Sequence, residues 1–262
     1  MTGTELISHL MQGATTPERT CDTVKAGDAE RQLRRVGVTM FATVDTVRRA
    51  REWGADFLIV HEPTYYDHMD IFRETPVTLA KRAFIEESGI TVYRYHDHAH
   101  FRAKDLITEG EMRALGLTGR LEPSGFSASY ILTADTPVTA LELAERMERQ
   151  LGIAHQRIAG SRNRPCRRIG CCFGTPRGVL ELLQREDIDM VLTGEVCEWM
   201  LAEYARDADA LGMTKSLLVM GHIGSERDGM KLLAERLQNE FATDFETRYF
   251  ECGEVYTYTD SQ

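Results

Sequence analysis

The run Asp56-Phe57-Leu58-Ile59-Val60 restricts the fold of this chain more than any other stretch. A strand that is apolar at successive positions needs cover on both faces, the condition of a strand inside a parallel sheet. Its neighbours fit the same plan. Arg35 to Phe41 reads as a strand, and Thr43 to Trp53 has helical apolar spacing with Thr43 as its N-cap. Pro76 to Ser88 reads as a helix opened by proline and stopped by Gly89, and Ile90 to Tyr95 reads as the next strand. Strand, helix, strand, helix, strand is the signature of a parallel α/β unit. A further helix spans Leu106 to Leu115.

Glu122-Pro123-Ser124-Gly125 is a turn cluster, after which a second α/β set begins. Strands are expected at Ala128–Thr133, Ile169–Phe173, Ile188–Leu192 and Ser216–Met220. Helices are expected at Pro137–Leu151, up to Gln184, through Trp199, Leu201 and Tyr204 to near Gly212, and from about Glu226 to Asn239. PERTCDTVKAGDAE reads as loop, QRIAGSRNRPCRR as a basic turn-rich segment, and Glu246 to Tyr258 as an extended tail. The expected fold class is therefore α/β: two linked lobes with mostly parallel sheets. They cover residues 1–121 and 122–262, and the C-terminal helix has the option of packing back on the first lobe.

Charge and cysteine usage narrow the function classes. A formal net charge of -10 argues against a nucleic-acid or anionic-membrane surface, which needs a dense positive footprint. No apolar run approaches the ~18 residues that span a bilayer, and MTGTELISHLMQG lacks the basic-then-apolar order of a secretory signal. The six cysteines show no C-x-x-C pair and no disulfide-module spacing, and they read as reduced thiols of a cytoplasmic protein.

The polar chemistry gathers where predicted strands end, which is where open parallel sheets bind ligands. One strand ends in His61-Glu62, another in His96-Asp97-His98-Ala99-His100, a third in Thr193-Gly194-Glu195 and a fourth in Gly221-His222 with Glu226 beyond. Of eight histidines, His61, His68, His96, His98, His100 and His222 lie in or near these loops. If the chain stays extended after Tyr95, then His96, His98 and His100 share one side, because strand side chains alternate. Ser225 and Asp228 have the spacing of a weak capping box, which puts Glu226 in the first turn of the last helix. Imidazole with carboxylate suits zinc, manganese or iron(II) better than calcium or magnesium. Glu62, Glu226 and several imidazoles have the charge to hold two divalent ions and a bridging water acidified to hydroxide. Two further features carry less. Gly174 to Gly178 with Arg177 could cradle an anion, though a plain strand–helix connection accounts for it more readily, and Cys172 and Cys197 lack a nucleophile's His–acid setting.

Asp56 to Pro63, Thr193-Gly194-Glu195 and Gly221-His222-Ile223-Gly224-Ser225-Glu226, in that order, resemble the NGG-interacting-factor-three-like family of dinuclear metal-centre proteins, some of them labelled GTP cyclohydrolase type-two-like. The resemblance implies two α/β lobes, a two-metal site and a toroidal hexamer. Carried over by position, it implies His61, Glu62, His100, His222 and Glu226 as metal ligands, with Glu62 standing where the family usually has a second histidine. His100 stands at the family's aspartate position, with Asp97 as the alternative, and His96, His98 and Glu195 are neighbours or alternate ligands. No organic cofactor is implied. The function so implied is metal-dependent hydrolysis of a nucleotide or other phosphorylated small molecule by a metal-bound hydroxide, with Glu62 and Glu226 as the catalytic carboxylates. The competing reading is a non-catalytic metal-binding regulator or scaffold that acts through protein partners.

Overall fold

A computed structural model describes residues 1–259 of the chain. In chain order the strands are β1 (Val24–Ala26), β2 (Arg35–Thr39), β3 (Phe57–Val60), β4 (Thr91–Arg94), β5 (Gly119–Pro123), β6 (Tyr130–Val138), β7 (Arg157–Gly160), β8 (Cys166–Cys172), β9 (Met190–Thr193), β10 (Ser216–Val219) and β11 (Glu246–Tyr249). The α-helices are α1 (Gly3–Met11), α2 (Val44–Trp53), α3 (Pro76–Ser88), α4 (Asp97–His100), α5 (Leu106–Ala114), α6 (Ala140–Arg146), α7 (Val179–Gln184), α8 (Glu203–Ala210) and α9 (Arg227–Phe241). The fold is α/β and divides into two compact units. Unit one is Met1–Ile107 with Gly229–Gln262, and unit two is Thr108–Asp228.

Unit one is built on a five-stranded sheet in the order β1-β4-β3-β2-β11. β11, β2, β3 and β4 run parallel, and only β1 is antiparallel. Every residue of β3 and β4 is buried, as the continuous apolar run requires. Helix ends follow local chemistry. Thr43 caps α2 by accepting the Thr46 amide, and Gly54 ends it at φ 82°. Thr75 caps α3, Pro76 opens it and Gly89 closes it at φ 70°.

Unit two carries a six-stranded sheet in the order β5-β6-β8-β9-β10-β7. Its centre, β8-β9-β10, is parallel, and β5, β6 and β7 add antiparallel edges. Leu143, Met147, Ile169 and Leu218 fill one core of this unit, and Val179, Leu182, Val191 and Leu217 another.

The division differs from the boundary expected at residues 121 and 122. That position lies inside β5, and the turn cluster after it is the β5–β6 hairpin, in which Gly119 to Pro123 pair with Ala134 to Tyr130. A hairpin and a linker carry the same turn residues, so composition cannot separate them. The tail returns to unit one, where β11 pairs with β2. Among the described residues no helix is long and apolar enough to cross a membrane.

Candidate metal centre

Each unit places a group of histidine and carboxylate side chains beyond the carboxyl ends of its parallel strands. In unit one, His61 and Glu62 follow β3, and both their amides donate to the Met40 carbonyl, at 3.1 and 2.9 Å. Tyr95 follows β4 and donates its amide to the Val60 carbonyl at 2.8 Å. The two strand ends are thereby locked side by side.

The chain does not stay extended after Tyr95. It turns into the short helix α4, and the cause is Asp22. This fully buried carboxylate accepts the amides of His96, Asp97 and His98 at 2.7, 2.9 and 2.9 Å and faces His98 Nδ1 at 2.7 Å. An anion at a helix start satisfies amides that have no partner within the helix. Helical geometry then replaces the expected alternation. His96 and His100, four apart, come to one side. His98 goes the other way, with Nδ1 on Asp22 and Nε2 3.0 Å from the Thr16 hydroxyl. His98 is a buried histidine of the fold, with both nitrogens engaged.

His61, His96 and His100 form a group in which one ligand atom from each lies within 4.8 Å of the others. The rings of His61 and His96 stack at 4.7 Å, and His100 stands edge-on to both at 5.2 and 5.0 Å. Each Nδ1 has an acceptor: the Tyr95 carbonyl for His61 at 3.0 Å, Asp97 for His96 at 3.0 Å and Asp105 for His100 at 2.9 Å. An imidazole that donates from Nδ1 to such an acceptor turns its Nε2 lone pair to the other side. This is the second-layer arrangement of metal-ligating histidines. Burial, with the neighbouring imidazoles adding to it, pushes the His61 pKa well below the ordinary histidine value, so this ring is neutral near pH 7. For Asp97, burial opposes ionisation. Hydrogen bonds from His96, Thr20 and the Cys21 amide outweigh it and hold the carboxyl below the usual range.

Glu62 is buried beside Arg94, with Nη2 and Oε2 3.9 Å apart. Arg94 is itself fully buried. Its Nε donates to the His61 carbonyl at 3.0 Å, its Nη1 donates to the His68 carbonyl, and Asp70 stands 3.4 Å from it. The guanidinium therefore pins the His61–His68 loop and balances the charge of Glu62.

In unit two, His222 lies between two carboxylates. Its Nδ1 is 2.6 Å from Glu195 Oε1 and its Nε2 3.2 Å from Glu226 Oε2. An imidazole facing carboxylates on both sides is stabilised by a proton or a cation shared across the contact. Two ligand atoms at about 2.0–2.1 Å from a tetrahedral zinc stand roughly 3.3 Å apart, which matches the His222–Glu226 spacing. The expected capping box does not form. Glu226 precedes α9 with φ -136°, and the Ser225 hydroxyl instead accepts the Gly174 amide at 2.9 Å and donates to the His222 carbonyl at 3.0 Å. The α9 start is served by Glu111, which accepts the Asp228 amide at 2.9 Å. Burial, reinforced by the Asp228 charge, pushes the Glu111 carboxyl well above the usual range.

Glycine is required twice here. Gly174 has φ +65°, and a Cβ there would stand 2.4 Å from Glu226 Oε1. A Cβ on Gly194 would stand 2.5 Å from the Gly174 carbonyl and from Ser225 Oγ. The Gly174–Gly178 loop thus serves the Glu226 carboxylate, while a Cβ on Gly178 would meet the Phe126 ring. Burial pushes the Cys172 thiol up to about 12, which removes it as a thiolate nucleophile near neutrality.

Of the expected site residues, His61, Glu62, His96, Asp97, His98 and His100 belong to unit one, and Glu195, His222 and Glu226 to unit two. Sequence reading missed Asp22, Arg94 and Asp105. Asp22 lies in a segment read as loop, Arg94 within a strand, and nothing in the spacing ties Asp105 to His100.

These features define a class: a two-unit α/β protein whose strand-end loops hold histidine and carboxylate groups of metal-ligating kind. A model of the Duf34/NIF3 (NGG1p interacting factor 3) family matches residues 22–254, and the chain belongs to that family. A Clostridium perfringens (strain 13 / Type A) protein named GTP cyclohydrolase 1 type 2 homolog is 21% identical over 227 residues, covering 84% of each chain. One of the same name from Yersinia pestis is 27% identical over 227 residues, 83% of this chain and 84% of that protein. The crystal structure of Staphylococcus aureus hypothetical protein SA1388 shares the fold, with a TM-score of 0.77 at 16% identity over 98% of this chain and 99% of the other.

Proposed function

We propose that the protein holds two divalent ions, zinc, manganese or iron(II), and hydrolyses a nucleotide or another phosphorylated small molecule. The proposed ligands are His61, Glu62 and His100 of unit one and His222 and Glu226 of unit two, with His96, Asp97 and Glu195 as neighbours or alternates. The observation that carries the reading is the pattern of Nδ1 contacts. His61, His96, His100 and His222 each direct Nδ1 to a carbonyl or carboxylate, and His61, His96 and His100 bring one ligand atom each within 4.8 Å of the others. When bound, the ions would supply Lewis acidity and a water acidic enough to attack near neutral pH. The chain's own part is orientation and charge. Asp105 and Tyr95 hold the rings, Arg94 balances Glu62, and Glu62 and Glu226 supply the negative charge that a divalent ion needs. The choice of substrate class rests on the names of the relatives.

We place the protein in the cytoplasm as a homo-oligomer, a hexamer by family resemblance, with no membrane or nucleic-acid partner. A non-catalytic metal-binding regulator is the second reading, favoured by the family's description as an interacting factor. A nucleotide and phosphoester panel with zinc, manganese and iron(II) separates the two. Metal-dependent turnover abolished in Glu226→Ala supports the hydrolase. Two ions bound per chain with no turnover across the panel supports the regulator, and fewer than one ion per chain after reconstitution refutes both.

A further inference from the structure

Unit one contains a second group of ligand-type side chains, of which Asp97 alone also stands beside the proposed centre, as the partner of His96. Cys21 precedes β1, His68 lies in the loop after β3, and Asp97 opens α4. One ligand atom from each lies within 4.8 Å of the others. We propose that Cys21, His68 and Asp97 form a separate, sulfur-containing cation site suited to zinc.

The three residues are tied together by more than proximity. The Cys21 amide donates to Asp97 Oδ2 at 3.1 Å, so the residue bearing the thiol is fastened to the carboxylate. Thr20 Oγ1 donates to the same oxygen at 2.9 Å, and His96 Nδ1 lies 3.0 Å from Oδ1. A carboxylate has about four lone-pair positions, so the three bonds leave Oδ1 able to take one more electrophile. Cys21 is 1% exposed, and its thiol donates to Asp22 Oδ1 at 3.6 Å. His68 is exposed, with its ring edge-on to His96 at 5.3 Å. The group thus joins one exposed imidazole to a buried thiol and a buried carboxylate.

The donor set selects the ion. One sulfur, one nitrogen and one oxygen suit zinc, which accepts all three and takes water as its fourth ligand where the site opens to solvent. Calcium and magnesium require oxygen ligands. Local charge favours a cation: Lys25 and Arg94 stand against Asp22, Asp70, Asp97 and Glu62. On binding, the Cys21 thiol loses its proton to solvent and a sulfur–metal bond replaces the S–H bond, so the reaction releases one proton and needs no oxidant. The site adjoins the imidazole group through the His96–Asp97 hydrogen bond, His96 belonging to one group and Asp97 to the other. It does not depend on the hydrolase reading.

Cobalt(II) titration of the metal-free full chain tests the proposal, because a thiolate ligand adds a near-ultraviolet charge-transfer band that imidazole and carboxylate ligands do not give. The wild type should show this band, and zinc should abolish it. Cys21→Ser should lose it while keeping visible cobalt absorption from the imidazole group. His68→Ala, at an exposed position and with its far-ultraviolet circular dichroism checked against wild type, should weaken cobalt binding at the thiolate band at least tenfold. His100→Ala should keep the band. No thiolate band at saturating cobalt in the wild type, or an unchanged band in Cys21→Ser, refutes the site. If Cys21→Ser does not fold, His68→Ala decides, and unchanged affinity there refutes it equally. Loss of turnover with the band retained bears on the hydrolase reading alone.

Discussion

The histidine and carboxylate groups of the two units are assembled by different means. Unit one relies on desolvation and orientation. Its rings are crowded, His61 is fully buried and held neutral, and each Nδ1 is fixed by an acceptor. Unit two relies on charge, with one partly exposed imidazole between Glu195 and Glu226. A site made of neutral rings needs neighbours that fix tautomers, and a site made of carboxylates needs room for the charge. Hence the indispensable supports are Asp22 and Asp105 in one unit and two glycines in the other.

The largest expected effect comes from removing the support of the histidine turn. Asp22→Ala leaves three amides, two of them buried, and the His98 ring without their acceptor, and should cost roughly 3–5 kcal/mol of stability. Urea unfolding of the metal-free protein measures this. Loss of metal affinity at unit one with unit two unaffected would confirm that Asp22 serves the rings. Next is Gly174→Ala, whose methyl group would collide with Glu226. It should lower metal affinity at His222–Glu226 by about 10–100-fold, the range for disturbing a ligand's immediate support. Calorimetric titration reads it, and unchanged affinity would show that the Glu226 carboxylate finds another position.

Asp105→Asn should be milder, about tenfold in metal affinity, because the amide oxygen still accepts from His100 Nδ1 but without charge. The smallest effect concerns pH. The folded-state pKa of Glu111 lies above its unfolded value, so its contribution is fully present below the unfolded pKa of about 4.3 and is lost as pH rises through the folded value. Glu111→Gln keeps an acceptor for the Asp228 amide without the buried charge. The variant should therefore gain stability over wild type as pH rises from 5 to 8. Parallel denaturation profiles across that interval would refute the assignment.

Much of the scaffold was legible from the chain. Buried parallel strands announce themselves by unbroken apolar runs, as at Phe57–Val60, and Thr43, Pro76 and Gly89 each mark a helix end by a local rule. The strands not foreseen, β1, β5 and β7, are all antiparallel sheet edges. Edge strands tolerate polar residues and turns, so they carry no apolar run to be read. The placement of polar groups at strand ends was legible for the same reason as the strands. The state of residues 96–100 was not, because a carboxylate 74 residues away in sequence makes that segment helical. The same holds for Ser225. Its spacing to Asp228 suggested a cap, but Gly174, 51 residues away, takes its hydroxyl.

Asp22 lies two residues before β1, an edge strand with a single neighbour, β4. Edges fray before interiors, through local openings that cost far less than global unfolding. Each such opening would withdraw the carboxylate from the turn that presents His96 and His100. An ion held there could then leave without the unit unfolding, and its dwell time would follow the opening rate of the β1 segment. Hydrogen exchange at the amides of His96, Asp97 and His98 should slow when metal is bound, and by the same factor at all three.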